Sequence, residues 1–176
     1  IVNRDGGGTD NQTFAVDGRW GIGDRGTVTG FVAKTNTDGI SGDDHAFRLS
    51  GAYDSDIWSY SGSYSQVGAG FNPEVGFLAR KDYKRVGLFL LRSIRASKES
   101  GVLEYRPHGS FTGHWSTDGF FESGRLHLDS SIEWKSGAQL HTAWNITHEG
   151  VTAPFDISRG VTVQTDKYRH HEISAF

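Results

Sequence analysis

Four histidines carry most of the chemistry that this sequence offers. His108, His114, His127 and His141 recur through residues 101–149 together with Glu104, Asp129, Glu133 and Glu149. Imidazoles and carboxylates brought together hold zinc or act as an acid–base pair. The chain has no H-E-x-x-H spacing, which sets two imidazoles on one helix face. His170 and His171 are adjacent, so on a strand their rings point to opposite faces. The same residue types also serve as interlocked polar filling of a barrel interior. His108, His114, His127, Asp129, Glu133 and His141 are read in that sense, as a polar cluster facing a lumen. No catalytic, cofactor-binding or metal role is assigned to them.

Other chemistry is thinner. The loops Asp5-Gly-Gly-Gly-Thr-Asp10 and Asp38-Gly-Ile-Ser-Gly-Asp-Asp44 place hard oxygen ligands on pliable backbone, which suits calcium at Asp5, Asp10, Asp38, Asp43 and Asp44. Neither loop has the EF-hand spacing, and plain turn chemistry accounts for the same residues. Gly6-Gly-Gly8 and Gly68-Ala-Gly70 lack the strand–loop–helix setting and the following Lys-Ser/Thr of a phosphate cradle. No serine sits in a G-x-S-x-G elbow, and Asn145-Ile-Thr147 is a glycosylation triplet inside a strand candidate. Trp20, Trp58, Trp115, Trp134 and Trp144 suit stacking on sugars. They suit an interfacial aromatic girdle as well, and the girdle is preferred. The chain is not expected to be an enzyme. A hydrolase built on Glu104 and Glu133 stays as a third reading that no spacing demands.

The elements that must position these groups are strands. From Leu103 an apolar set runs through Tyr105, Pro107, Gly109, Phe111, Gly113 and Trp115, against Glu104, Arg106, His108, Ser110, Thr112 and His114. Leu126, Leu128, Ile132 and Trp134 then oppose Arg125, His127, Asp129, Ser131 and Glu133. Leu140, Trp144 and Ile146 oppose His141, Asn145 and Thr147. Alternation of period two puts one set on each face of a strand. Nine strands are predicted, at 12–20, 27–35, 45–53, 57–65, 85–94, 102–115, 119–134, 138–149 and 168–176. Residues 86–91 are apolar on both faces. Helical periodicity is absent, and frequent Gly and Ser would weaken a helix.

Composition agrees with a glycine-punctuated β-protein: Gly 24, Pro 3 and 12% aromatic residues in 176. A formal charge of −3 leaves no footprint for nucleic acid, and the absence of cysteine removes disulfides and thiolate metal sites. The chain begins with Ile and contains no Met, which is read as a processed or trimmed product. No apolar stretch reaches the roughly 18–20 residues of a membrane helix. Spanning barrels nevertheless score as polar, because half of each strand faces the lumen. The connections alternate: 21–26, 54–56, 97–101 and 135–137 are short, while 36–44, 66–84 and 150–167 are long. Only 116–119 is tight where a long loop is due. Short turns alternating with long loops is the outer-membrane pattern.

Several stretches resemble the C-terminal barrel domain of unknown function that follows a family-9 carbohydrate-binding module in large bacterial envelope proteins. They are Asn3-Arg-Asp-Gly-Gly-Gly-Thr-Asp-Asn-Gln12, Gly18-Arg-Trp-Gly-Ile-Gly23, Ser41-Gly-Asp-Asp-His-Ala-Phe47, Gly68-Ala-Gly-Phe-Asn-Pro-Glu-Val-Gly-Phe77 and Leu103-Glu-Tyr-Arg-Pro107. The resemblance implies an outer-membrane β-barrel with no established reaction. The carbohydrate-binding module itself is missing here, and the family barrel has more strands than nine.

The expected fold is all-β: an antiparallel up-and-down β-barrel of outer-membrane type, or a consecutive run of its strands. Residues 1–176 are taken as one barrel domain that is part of a larger barrel. Nine strands would be odd and open where bacterial single-chain barrels are even, the first residues look loop-like, and His171–Phe176 looks strand-like. The expected role is structural or pore-forming in the bacterial outer membrane. Its partners would be outer-membrane lipid, the rest of a larger barrel or other subunits of an envelope complex, and carbohydrate. The alternative is a soluble β-barrel or sandwich that binds a glycan or small apolar ligand.

Overall fold

A computed structural model describes residues 1–4 and 10–176. Its thirteen strands are β1 (Val2–Arg4), β2 (Asn11–Ile22), β3 (Gly26–Thr37), β4 (His45–Asp54), β5 (Trp58–Val67), β6 (Tyr83–Arg92), β7 (Ile94–Arg95), β8 (Val102–Trp115), β9 (Phe121–Trp134), β10 (Gln139–Val151), β11 (Phe155–Ser158), β12 (Val161–Val163) and β13 (Asp166–Ala175). The nine predicted strands are the nine long ones. The four short strands carry too few residues for a period to show. β11 and β12 form a separate hairpin inside the expected loop 150–167.

All other strands form one antiparallel sheet in the order β1-β2-β3-β4-β5-β6-β8-β9-β10-β13, with β7 on β8. The fold is therefore all-β and up-and-down. Among the described residues the sheet is not closed: β13 pairs with β10 alone, and β2 beyond Thr13 pairs with β3 alone. The predicted strand 85–94 is interrupted near its end. The β6–β8 ladder stops at Leu91 opposite His108, and β7 resumes it at Ile94 opposite Tyr105. Pro107 lies in the gap and has no N–H to donate, so the ladder breaks where a donor is missing.

Directly opposed residues share a face, so the register assigns two faces across the whole sheet. One row runs Gly30, Leu49, Tyr64, Val86, Gly113, Gly124, His148, and another runs Tyr53, Tyr60, Leu90, Gly109, Leu128, Trp144, Ile173. This face is largely apolar and largely bare, with Val16 71%, Leu49 58%, Leu88 53% and Leu128 42% exposed. The opposite face carries rows such as Thr29, Ser50, Ser63, Gly87, Thr112, Arg125, Thr147, His170. Phe89 and Leu91 lie on it opposite Ser110 and His108, which explains the doubly apolar run 86–91.

Because neighbours are antiparallel, alternate connections fall at opposite ends of the sheet. The connections 23–25, 55–57, 96–101 and 135–138 lie at one end, and 38–44, 68–82, 116–120 and 152–165, the last holding the β11–β12 hairpin, lie at the other. The alternation of loop lengths in the chain thus becomes a sidedness of the molecule. Residues 68–74 fold back over the polar face at the long-loop end. Phe71 covers Ala33, Ala46 and Val67, with Leu78 and Tyr83 packed against them. Asn72 N donates to Thr35 Oγ1 at 3.0 Å, and Asn11 Nδ2 donates to Asn72 O at 2.8 Å. The approach requires glycine: a Cβ on Gly68 would lie 1.9 Å from the Asp43 carbonyl oxygen, and one on Gly70 2.2 Å from that of Gly42.

Candidate functional site

The residues with the most chemistry meet at the centre of the polar face on β8, β9 and β10. His108 lies directly opposite Asp129, and His127 lies opposite both Ser110 and Asn145. His127 and Asp129 are two residues apart on one strand, so pleating sends both side chains the same way. The register therefore brings two imidazoles and a carboxylate to one point, and a slip of one residue would scatter them to both faces.

The side chains converge closely. His108 Nε2 and His127 Nε2 are 3.2 Å apart, and Asp129 Oδ2 lies 3.8 Å and 3.7 Å from them. Both imidazoles and the carboxylate are only partly accessible. Asp129 Oδ1 is buried and has no hydrogen-bond partner among the described residues. The orientation of His127 is fixed from behind. Its Nδ1 lies 2.7 Å from Asn145 Oδ1, an amide oxygen that can only accept, so Nδ1 donates and Nε2 is turned toward His108. Arg125 donates to the same oxygen at 2.9 Å, and Asn145 Nδ2 donates to Glu172 Oε2 at 3.3 Å. His127 also borders a hollow of about 620 Å³, lined further by Ser110, Thr112, His114, Ser123, Arg125 and Thr147.

Of the remaining members of the predicted polar cluster, His114 lines the same hollow as His127, while His141 and Glu133 lie further along the same face. His114 is opposite Arg85 and Ser123, with its ring 6.4 Å from Tyr83. His141 stacks on Phe176 at 5.3 Å. Glu133 faces Glu104 directly across the β8–β9 ladder and Gln139 across β9–β10, with Arg106 Nε 4.0 Å from Glu104. Alternation found the face, and the register alone decided which of its residues meet. Asn145 and Glu172 were missed as partners because they come from β10 and β13. The run Arg125-Leu-His-Leu-Asp129 carried the available signal, since it places three polar side chains on one face.

The five tryptophans do not share one level. Trp20, Trp58 and Trp134 are at the short-turn end and Trp115 is at the long-loop end, whereas Trp144 is mid-strand between Leu128 and Ile173. The end placement expected for Trp144 is corrected here: a pattern of alternation locates a face and not a height. Trp58 lies under the Arg92 guanidinium, 5.2 Å from its ring centroid. Trp115 packs on Phe121 at 5.0 Å. It fills the notch left by Gly113, whose Cβ would come within 2.4 Å of its ring.

Among the acidic loop residues, Asp38 accepts the Asp10 N–H at 3.3 Å, Asp44 pairs with Lys34 at 3.6 Å and Asp43 has a φ of 48°. These are uses that a turn makes of aspartate. Asp5 lies outside the described residues. Comparison of the chain with protein-family models, with curated proteins and with solved structures gives no match.

Proposed function

We propose that the chain is a consecutive run of strands of a bacterial outer-membrane β-barrel, with a structural or pore role in the envelope. The carrying observation is the bare apolar face, continuous from β2 to β10 and ending on β13, where Ile173 shares it with His171, Arg169 and Lys167. Among the described residues the buried apolar core by contrast amounts to six: Ala33, Ala46, Val67, Phe71, Val102 and Ala143. Water disfavours apolar surface by about 25 cal/mol per Å², so a face this wide calls for a cover, and lipid supplies one without further protein. The nine long strands have 10–14 residues each, enough for the roughly 9–11 of a tilted spanning strand. Long connections collect at one end and mostly short ones at the other, as in outer-membrane barrels.

In this reading the polar face lines the lumen, and residues 68–74 narrow it at the long-loop end. The unpaired edges of β2 and β13 take further strands from the rest of a larger barrel or from other subunits of an envelope complex, since open edges are not tolerated in lipid. The resemblance to the barrel that follows a family-9 carbohydrate-binding module belongs to the same proposal, with carbohydrate as a further partner. Among the described residues no helix is long and apolar enough to cross a membrane, which says nothing of strands.

One feature favours the second reading, a soluble barrel or sandwich with a ligand. The apolar face has a hollow of about 810 Å³, lined by Trp58, Tyr60, Leu88, Leu90, Phe111 and Leu128. Sedimentation with and without a mild non-ionic detergent separates the two. A compact particle in detergent and aggregation without it is the expected result. A monodisperse detergent-free monomer would overturn the membrane reading and make the hollow a ligand site.

A further inference from the structure

We infer that His108, His127 and Asp129 form a three-ligand site for a divalent transition metal, best matched by zinc. The inference does not rest on which face meets lipid, because the sheet register alone builds the site.

The geometry carries it. Three ligand atoms separated by 3.2, 3.7 and 3.8 Å define a triangle whose centre lies about 2.1 Å from each, the length of a Zn–N or Zn–O bond. Closing the two longer edges to about 3.3 Å would lift the ion into tetrahedral geometry with a fourth position open, the arrangement of reactive zinc sites. No protein group needs to be displaced. The pairs involving Asp129 are too far apart to be hydrogen bonds, and the one close contact, between the two imidazole Nε2 atoms at 3.2 Å, is the one an ion would replace.

Two further observations point the same way. Asp129 Oδ1 is buried without a hydrogen-bond partner among the described residues, a cost that a cation bound to the same carboxylate offsets. Behind the site, Asn145 accepts from His127 Nδ1 and holds Nε2 facing the other two groups, the outer-shell support that metal-bound histidines receive. Two imidazole nitrogens exclude a calcium or magnesium preference, since those ions take oxygen. Arg125 is the nearby positive charge that would oppose an ion. It donates to Asn145, whose own amide binds Glu172, so a carboxylate accompanies it in the network.

The test is zinc binding by the purified chain, in whichever buffer, with or without detergent, keeps it monodisperse. A chromophoric chelator competes for the metal, and Co²⁺ serves as a spectroscopic probe. One zinc per chain and intense visible Co²⁺ bands, the mark of four- or five-coordination, are expected. Asp129→Asn and His108→Gln should each abolish both signals, and Asn145→Ala should weaken zinc binding about 10–100-fold. His114→Ala and His141→Ala, on the same face but outside the triangle, should change neither. The proposal fails if the unaltered chain binds less than one zinc or gives the pale spectrum of octahedral Co²⁺. Equal loss in the His114 or His141 variants overturns it as well. Should a ligand variant fail to fold by circular dichroism, the unaltered chain's stoichiometry and spectrum decide the question.

Discussion

The corner of the polar face beneath residues 68–74 and the centre of the apolar face are built on the same antiparallel ladder, with opposite outcomes. In the corner, Ala33, Ala46 and Thr35 are buried although none is large or strongly apolar. At the centre of the other face, Leu49, Leu88 and Leu128 stay exposed although all are. Burial on this sheet is decided by what lies over a residue and not by the residue's own hydropathy. The corner has its cover within the chain, and the apolar face does not. Three consequences separate the regions by stability, and a fourth tests a turn beside them.

The largest effect is expected in the corner. Phe71→Ala removes the side chain that closes the small core, which should cost the docked loop about 3–5 kcal/mol. Protease cleavage within 72–82 and faster exchange of the amides beneath it would report the loss. An unchanged cleavage pattern would show that the loop is not held by Phe71.

On the apolar face, Leu128→Arg should cost about 2–4 kcal/mol in a bilayer, where a charge near the midplane is heavily penalised. His127→Ala, its neighbour on the other face, should be mild. Denaturant titration in vesicles measures both, and equal tolerance of the two would falsify the assignment of faces.

The polar network comes next. Asn145→Leu strands the Arg125 guanidinium, the His127 Nδ1 proton and a contact of Glu172, at about 1–3 kcal/mol. If stability is unchanged in the same titration, solvent already serves these groups and the polar face is wetter than its packing implies.

The smallest effect lies in the turn 116–120. The Ser116 hydroxyl and then the Phe120 N–H hydrogen-bond the Asp118 carboxylate and hold its pKa below the ordinary value. A folded-state pKa below the unfolded one stabilises above the unfolded value and loses that contribution as pH falls through the folded value. Asp118→Asn should therefore remove that contribution at neutral pH, leave strongly acid pH unchanged and so flatten the acid limb of the stability curve. A carboxyl carbon titration by NMR should show the pKa return upward in Ser116→Ala.

Much of the fold was legible because a strand writes its two faces into alternate residues. The long strands, their polar and apolar sets and the lengths of the connections are all local properties. Pro107 even marked the break between β6 and β7, had its missing donor been read as a ladder defect. The hairpin β11–β12 was not legible, since four and three residues give no period. The site was half legible. Arg125, His127 and Asp129 announce a shared face within one strand, but the partnership with His108 depends on how β8 is paired with β9. The six residues of the predicted polar cluster share one face, and pairing brings His108, His127 and Asp129 to one point on it.

By itself the sequence determined the class of structure: strands with one apolar and one polar face, joined in an up-and-down order with unequal ends. Those features follow from pleating and from local turn chemistry, which act within a few residues. Only the tertiary structure decided that Phe71 covers Ala33 and Ala46, that Trp144 stands mid-strand and that two histidines and an aspartate meet at a single point. These depend on cross-strand register and loop docking between residues far apart in the chain, and no local pattern fixes either.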